Sequence, residues 1–494
     1  MSKSNPSQLF IQNEKSLLVA PLLGEFAVTD VDEKEEKQKN SLILSRGEKR
    51  WIYLALTIFS FGAGANEFSA SGLLPQFADA FDISDTQAAY VQSVYALTVA
   101  TMGIPVTALL VNQPRKKAIA GLMLCFIAGS VTSALAPNYP LLMVGRVISA
   151  LPHAPFYGIS STAVNLMNPG EGGKAIAIVY LGMTLANIVG TPGATWLAQQ
   201  YGWRFPFWVL SGIGGCGLVA ILVSAVDKIP RASMNICEEL KDFIKKDLKT
   251  PGVSLGLLAI VFGFGGMVAF SGYIAPIMTD VAGFNDSDIP WISATLGIGF
   301  TLGNHLGGKL ADHHFTVTLY GSLISLAATL GALGFVVNYP IPSVLGVFAL
   351  GTFGFGSSAP LSKNVIEKGK PGSILITSST NVAFNLGIAF AVWVGGLVID
   401  AGYGYASAGW MGATLTTAGL IMAIASNSCK LKDEFSELGP EEKAGVKVIL
   451  ISPSQKKTSL YATLTSWFGC RDKEQDDGRS LRRLENDDSL KPFQ

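Results

Sequence analysis

The sequence predicts an all-α polytopic membrane protein, with twelve transmembrane helices in two pseudo-symmetric halves of six. Three observations predict it. Apolar runs of roughly 20 residues, the length that crosses a hydrocarbon core, alternate with short polar breaks along the chain. Charged residues make up only 15% of the 494, against about 25% in soluble domains. Finally, the two halves echo each other at a shared offset: YALTVATMG (95–103) resembles ATLGIGFTLG (294–303), and LANIVG (185–190) resembles AFNLGI (383–388). Helices follow because lipid offers no partner for backbone hydrogen bonds.

Taken in order, residues 1–50 form a polar, mixed-charge tail that includes DVDEKEEKQKN (30–40). No apolar segment leads it, so no cleavable signal peptide is expected. The first six-helix bundle occupies 51–226, with span cores at 51–76, 88–111, 116–136, 141–166, 175–199 and 205–226. A basic linker, 227–252, contains EELKDFIKKDL, which reads as a short amphipathic helix able to lie on a membrane surface. The second bundle occupies 253–428, with cores at 253–279, 289–311, 316–337, 342–362, 374–400 and 406–428. The tail 429–494 is again polar. Its one apolar stretch, LYATLTSWFGC (460–470), is too short to span.

Orientation follows from Lys and Arg in the connections. One set of loops holds Arg115, Lys116, Lys117, Lys174, Lys309, Lys363, Lys368 and Lys370, whereas the alternating set holds only Arg204. The first set, the linker and both tails are therefore expected in the cytosol. The plasma membrane is the simplest location. A vacuolar or other internal membrane is the alternative, suggested by EKSLL (14–18), which is close to a dileucine sorting signal.

Several function classes drop out. Net charge is zero, which gives no electrostatic case for nucleic-acid binding. The five cysteines form no plausible external pair, so no disulfide is expected, and they show no CxxC or clustered His/Cys spacing, so no metal is expected; no cofactor is expected either. No nucleophile elbow, His–Asp pair or metal triad appears, and an enzyme is not expected; a polytopic membrane enzyme is a remote alternative.

Charge inside a span is expensive and points to function. Glu67 lies in span one and Arg146 in span four, with His153 seven residues further on nearly the same helix face. Polar residues that can shape a solute cavity are Asn187 in span five, Asn304 and His305 in span eight, and Asn381 and Asn385, four apart on one face of span eleven. Tyr95 and Tyr157 are candidates for its aromatic wall. Interhelical hydrogen bonding is the plainer use of such amides, and neighbour packing of such rings.

The stretches NEFSASGLLPQFADAFDIS (66–84), GRVISALPHAPFYG (145–158), GMTLANIVGTPGATWLAQQYGWRFPFWV (182–209), GNHLGGKLAD (303–312) and NVAFNLGIAF (381–390) resemble the major facilitator superfamily. More narrowly, they resemble its AraJ-like drug:proton antiporter and sugar-efflux branch. The resemblance covers about 51–428. It implies a secondary transporter working by alternating access, with a small-molecule substrate, protons and the lipid bilayer as partners, as a monomer. It implies proton coupling at Arg146, where the superfamily commonly places an Arg in span four. The family's cytosolic gating signature is intact at Gly308 to Asp312 but eroded in the first half, where only Arg115, Lys116 and Lys117 remain. Export of a small organic molecule (drug, metabolite or sugar-like solute) driven by protons is the expected function. The alternative is a facilitator or proton symporter for a polar nutrient.

Overall fold

The structure, a computed structural model, describes residues 44–168, 172–230, 236–370 and 373–437. The EKSLL and LYATLTSWFGC segments lie outside them. No strand occurs among the described residues, and the helices fall into twelve consecutive segments. Among the described residues, nine helices are long and apolar enough to cross a membrane. The exceptions are spans one, four and eight, which carry Glu67, Arg146 with His153, and Asn304 with His305. Polar residues lower the hydropathy of one and eight, and span four is cut in two.

Span one (Arg46–Phe68) ends in a 3-10 turn (Ser69–Gly72), then a short helix (Leu74–Phe81) with Pro75 in its first turn, where a missing N–H costs nothing. Asp82, in the left-handed region at φ 53°, turns the chain into span two (Asp85–Leu110). A reciprocal capping box between Ser84 and Gln87 starts that helix. Span three (Arg115–Leu135) packs on span six (Phe205–Val223) and span four. Span four breaks at Leu151–Pro152 into Tyr139–Ala150 and His153–Met167, since Pro cannot donate back into a continuing helix.

Span five runs as Gly172–Leu185, a π turn (Ala186–Gly190) and Thr191–Tyr201. The Thr191 N–H bonds to Ala186 five residues back. The next bond of that pattern would come from Pro192, which has no N–H, so the Asn187 carbonyl is left to face outward from the helix. Spans seven (Pro251–Ser271), nine (Phe315–Val336) and twelve (Ser407–Glu437) pack together, as do eight (Ile289–His313) and ten (Pro340–Gly356, then Ser358–Ile366). The eight–ten contact is backbone to backbone: a Cβ at Gly303 would lie 2.0 Å from the Thr352 carbonyl oxygen. Span eleven (Ile374–Val398) packs on span two, and span eight on the π turn of span five.

Among the described cysteines, Cys125 and Cys216 are free, but Cys429 is disulfide-bonded, contrary to the expectation of no disulfide. The expectation rests on there being no plausible external pair, which leaves a pair among Cys237, Cys429 and Cys470, all placed on one side, untouched.

Candidate functional site

The intramembrane charges predicted from sequence do cluster, but not as a Glu67–Arg146 ion pair. Arg146 is fully buried. Its Nε donates to the Val91 carbonyl oxygen at 3.2 Å; Nη1 donates to the Asn66 carbonyl oxygen at 2.9 Å and to Asn66 Oδ1 at 2.5 Å. The guanidinium also lies over the Tyr95 ring, 4.6 Å from its centre. A buried guanidinium costs several kcal/mol unless its donors find acceptors; the carbonyls and the Asn66 amide supply them for Nε and Nη1, and the ring face offsets part of the charge.

Tyr95 continues the chain, its hydroxyl 3.1 Å from His153 Nδ1, and His153 Nε2 faces Glu67 Oε2 at 3.8 Å. That last gap is too long for a hydrogen bond. The order is therefore Asn66, Arg146, Tyr95, His153, Glu67, with three buried polar atoms unpartnered: Asn66 Nδ2, Arg146 Nη2 and Glu67 Oε2. Asn66 was missed by the sequence reading. Its signal was present, an amide inside an apolar run beside Glu67, but a neutral residue does not stand out where charges are sought.

Glu67 and His153 wall a central cavity of about 380 Å³. Tyr157, Asn304, Asn381 and Asn385 also line it. Tyr157 bonds through its hydroxyl to Ser60 at 2.9 Å and stacks on Tyr180 at 4.7 Å. The Asn385 amide donates to Asn381 Oδ1 at 2.9 Å. Phe264, Phe355 and Phe384, not singled out from sequence, form an apolar wall. Phe355 and Phe384 stand 5.5 and 4.8 Å from Phe264, ring centre to ring centre. A second space of about 440 Å³ shares Tyr157, Tyr180, Thr377 and Asn381 with the first and reaches Lys370, at the end of the bundle that bears the linker.

Two predicted cavity residues, Tyr95 and His305, stand elsewhere, and Asn187 lies at the cavity's edge. Tyr95 is fully buried behind His153, held as a spacer between it and Arg146. His305 lines none of the cavities described, because one residue past Asn304 is a 100° turn of the helix. Asn187 lines a recess of about 40 Å³ together with Tyr180, Asn304 and Phe355, which also wall the central cavity, and a chamber of about 20 Å³ with Gln92 and Thr191, beyond Phe68.

That end of the molecule is closed. Thr86 Oγ1 donates to Asp400 Oδ1 at 2.8 Å, and the Tyr405 hydroxyl to Asp85 Oδ2 at 2.5 Å. Gln199 Nε2 donates to the Asp286 carbonyl oxygen at 2.6 Å. Deeper in, the Asn187 carbonyl freed by the π turn meets span eight at Gly297, where a Cβ would lie 1.9 Å from it. Glycine is required there by contact, not by backbone angle.

The residues of the predicted gating signature sit at the linker end. Asp312 is 3.6 Å from Lys363, whose ammonium also donates to the Ala311 carbonyl. Gly308 has open space where a Cβ would be. Arg115 is buried and donates to the carbonyl oxygens of Pro230 at 2.7 Å and Ile159 at 3.3 Å, fixing the start of the linker to span four.

Residues 56–375 match the family described as Major Facilitator Superfamily. The chain is 35% identical over 377 residues to the inner membrane transport protein YdhP of Escherichia coli (strain K12), covering 76% of this chain and 95% of that one. It is 30% identical over 362 residues to the putative transporter AraJ of the same organism, covering 72% and 89%. Among solved structures it resembles a bacterial homolog of the human lysosomal transporter Spinster, inward-facing and unoccupied, with a TM-score of 0.59 at 16% identity, covering 78% of this chain and 96% of that one. A D-xylose-proton symporter gives a TM-score of 0.61 at 16% identity, covering 75% and 96%. A helical bundle with a solute-sized cavity open at one end and latched at the other, and these relatives, lead to one assignment: the chain belongs to the major facilitator superfamily and is a membrane transporter.

Proposed function

We propose that the protein is a proton-coupled exporter of small organic molecules. It works as a monomer by alternating access between two six-span bundles, 51–226 and 253–428, joined by the linker 227–252. The reading rests above all on Glu67, a titratable side chain on the wall of the central cavity with Oε2 unpartnered. A carboxyl so placed can exchange a proton with whichever side the cavity opens to. The arrangement with the cavity open at the linker end is then the cytosol-facing one, with both tails cytosolic and the protein in the plasma membrane. Purified protein in vesicles with an imposed proton gradient, offered a panel of drugs, metabolites and sugars, tests it. Solute movement against its gradient, with protons flowing the opposite way, is the expected result. Gradient-independent equilibration of every transported solute would overturn the coupling.

Arg146→Lys should impair this coupling by about tenfold or more, because a single ammonium cannot reproduce the fork that reaches Val91 and Asn66 together. The measurement is initial rate with and without the gradient. A variant whose two rates match those of the parent would remove Arg146 from the coupling machinery. Topology is tested by labelling Ser287→Cys with a membrane-impermeant thiol reagent, expected to react on intact cells; reaction only after permeabilisation reverses the orientation or places the protein in an internal membrane.

The second reading, a proton symporter for a polar nutrient, draws on the amides of Asn304, Asn381 and Asn385, a set suited to hydroxyl-rich solutes. Protons and solute entering the same way in the vesicle assay would favour it.

A further inference from the structure

The linker helix Ile236–Lys245 and the 3-10 turn Asp247–Lys249 that follows it sort their side chains into three sectors. Phe243 and Asp247 are buried toward the protein. The Asp247 carboxylate accepts the backbone N–H of Lys370 at 3.2 Å. Asp242 pairs with Lys246 at 3.0 Å and Lys370 at 3.4 Å, and these contacts, Lys246 first, hold its carboxyl below the usual range. The acidic charge at Asp242 and Asp247 is thus spent on the protein itself.

Leu240, Ile244 and Leu248 form a second sector, all exposed, Ile244 at 53%. Lys241, Lys245 and Lys249, each one residue further on, form a third, also exposed. At 100° per residue the apolar sector lies between the protein contact and the basic sector. Two residues after Lys249 the chain enters span seven at Pro251. The helix is therefore held at the height where hydrocarbon meets headgroup.

We propose that this helix is a binding surface for anionic phospholipid, with Leu240, Ile244 and Leu248 set into the acyl boundary and Lys241, Lys245 and Lys249 on the headgroup phosphates. Apolar area and basic charge act together on such a surface, and each lysine close to an anionic leaflet adds roughly fivefold to the affinity. The linker thereby senses leaflet charge in addition to joining the two bundles. This surface does not depend on the transport reading.

The test uses the full chain in nanodiscs of phosphatidylcholine alone or mixed with phosphatidylglycerol, reading hydrogen exchange of the 236–249 peptide. Exchange should slow about tenfold when the anionic lipid is present. The triple variant Lys241→Gln, Lys245→Gln, Lys249→Gln, whose substituted side chains make no ion pair among the described residues, should exchange at one rate in both discs. Ile244→Asp should exchange fast in both. Equal protection of the parent in the two discs, or in detergent without phospholipid, would overturn the proposal by showing that the protein itself covers the face. Lipid dependence persisting in the triple variant would overturn it equally.

Discussion

Glu67→Gln should abolish gradient-driven accumulation while leaving solute binding, and exchange down a gradient, within about twofold of the parent. Gln keeps the size and one carbonyl-type oxygen but cannot take up and release a proton at physiological pH. Its neighbours are His153 at 3.8 Å and the cavity, and no strong hydrogen bond is lost on substitution, since Oε2 has no partner. The variant should therefore fold, and a loss would report chemistry rather than collapse. The expected readout is an internal-to-external solute ratio falling to unity under an imposed proton gradient. Normal accumulation would make the carboxyl structural and favour a facilitator.

Gly297→Ala should move the conformational balance away from the arrangement seen here. The added methyl would stand 1.9 Å from the Asn187 carbonyl oxygen, a rigid backbone atom that cannot step aside as a side-chain end can. Overpacking of this kind costs about 2 kcal/mol, or roughly thirtyfold in a two-state equilibrium. Only the state closed at this end contains the contact, so the state open there gains. Ser293, which lines the small chamber on the same side, reports it: a thiol reagent should label Ser293→Cys far faster in the Gly297→Ala background. Gly321→Ala, with open space around its Cβ on span nine, should leave labelling unchanged. Equal labelling in both backgrounds would mean that the contact does not hold the gate.

The spans were legible in the sequence because bilayer thickness sets a length that composition must meet. Spans one, four and eight were found from their place between polar breaks even though they fall short in apolarity or continuity, because their polar residues are what the site uses. Rotation of each span about its axis was much less legible. Spans two and seven spread their apolar residues around the whole helix, so no stripe marks the face that meets the cavity. Tyr95, on span two, was misplaced for that reason, and His305, on span eight, because one residue of helix turns a side chain 100° away from Asn304; Phe264, Phe355 and Phe384 went unremarked among many aromatic residues. Nor did the sequence show where the Arg146 fork would go: the fold gives it to the Val91 and Asn66 carbonyls and to the neutral Asn66 amide.

The two faces of the central cavity differ in kind. Glu67, His153 and Tyr157 belong to the first six spans, while Asn304, Phe355, Phe384 and the Asn381–Asn385 pair belong to the last six. On the proposed reading, one flank handles the driving ion and the other selects the cargo. Substitutions on the selecting flank can then change what is carried without disturbing how the work is powered. A lineage built this way can diversify its cargo by drift at a few aromatic and amide positions, keeping one inherited engine.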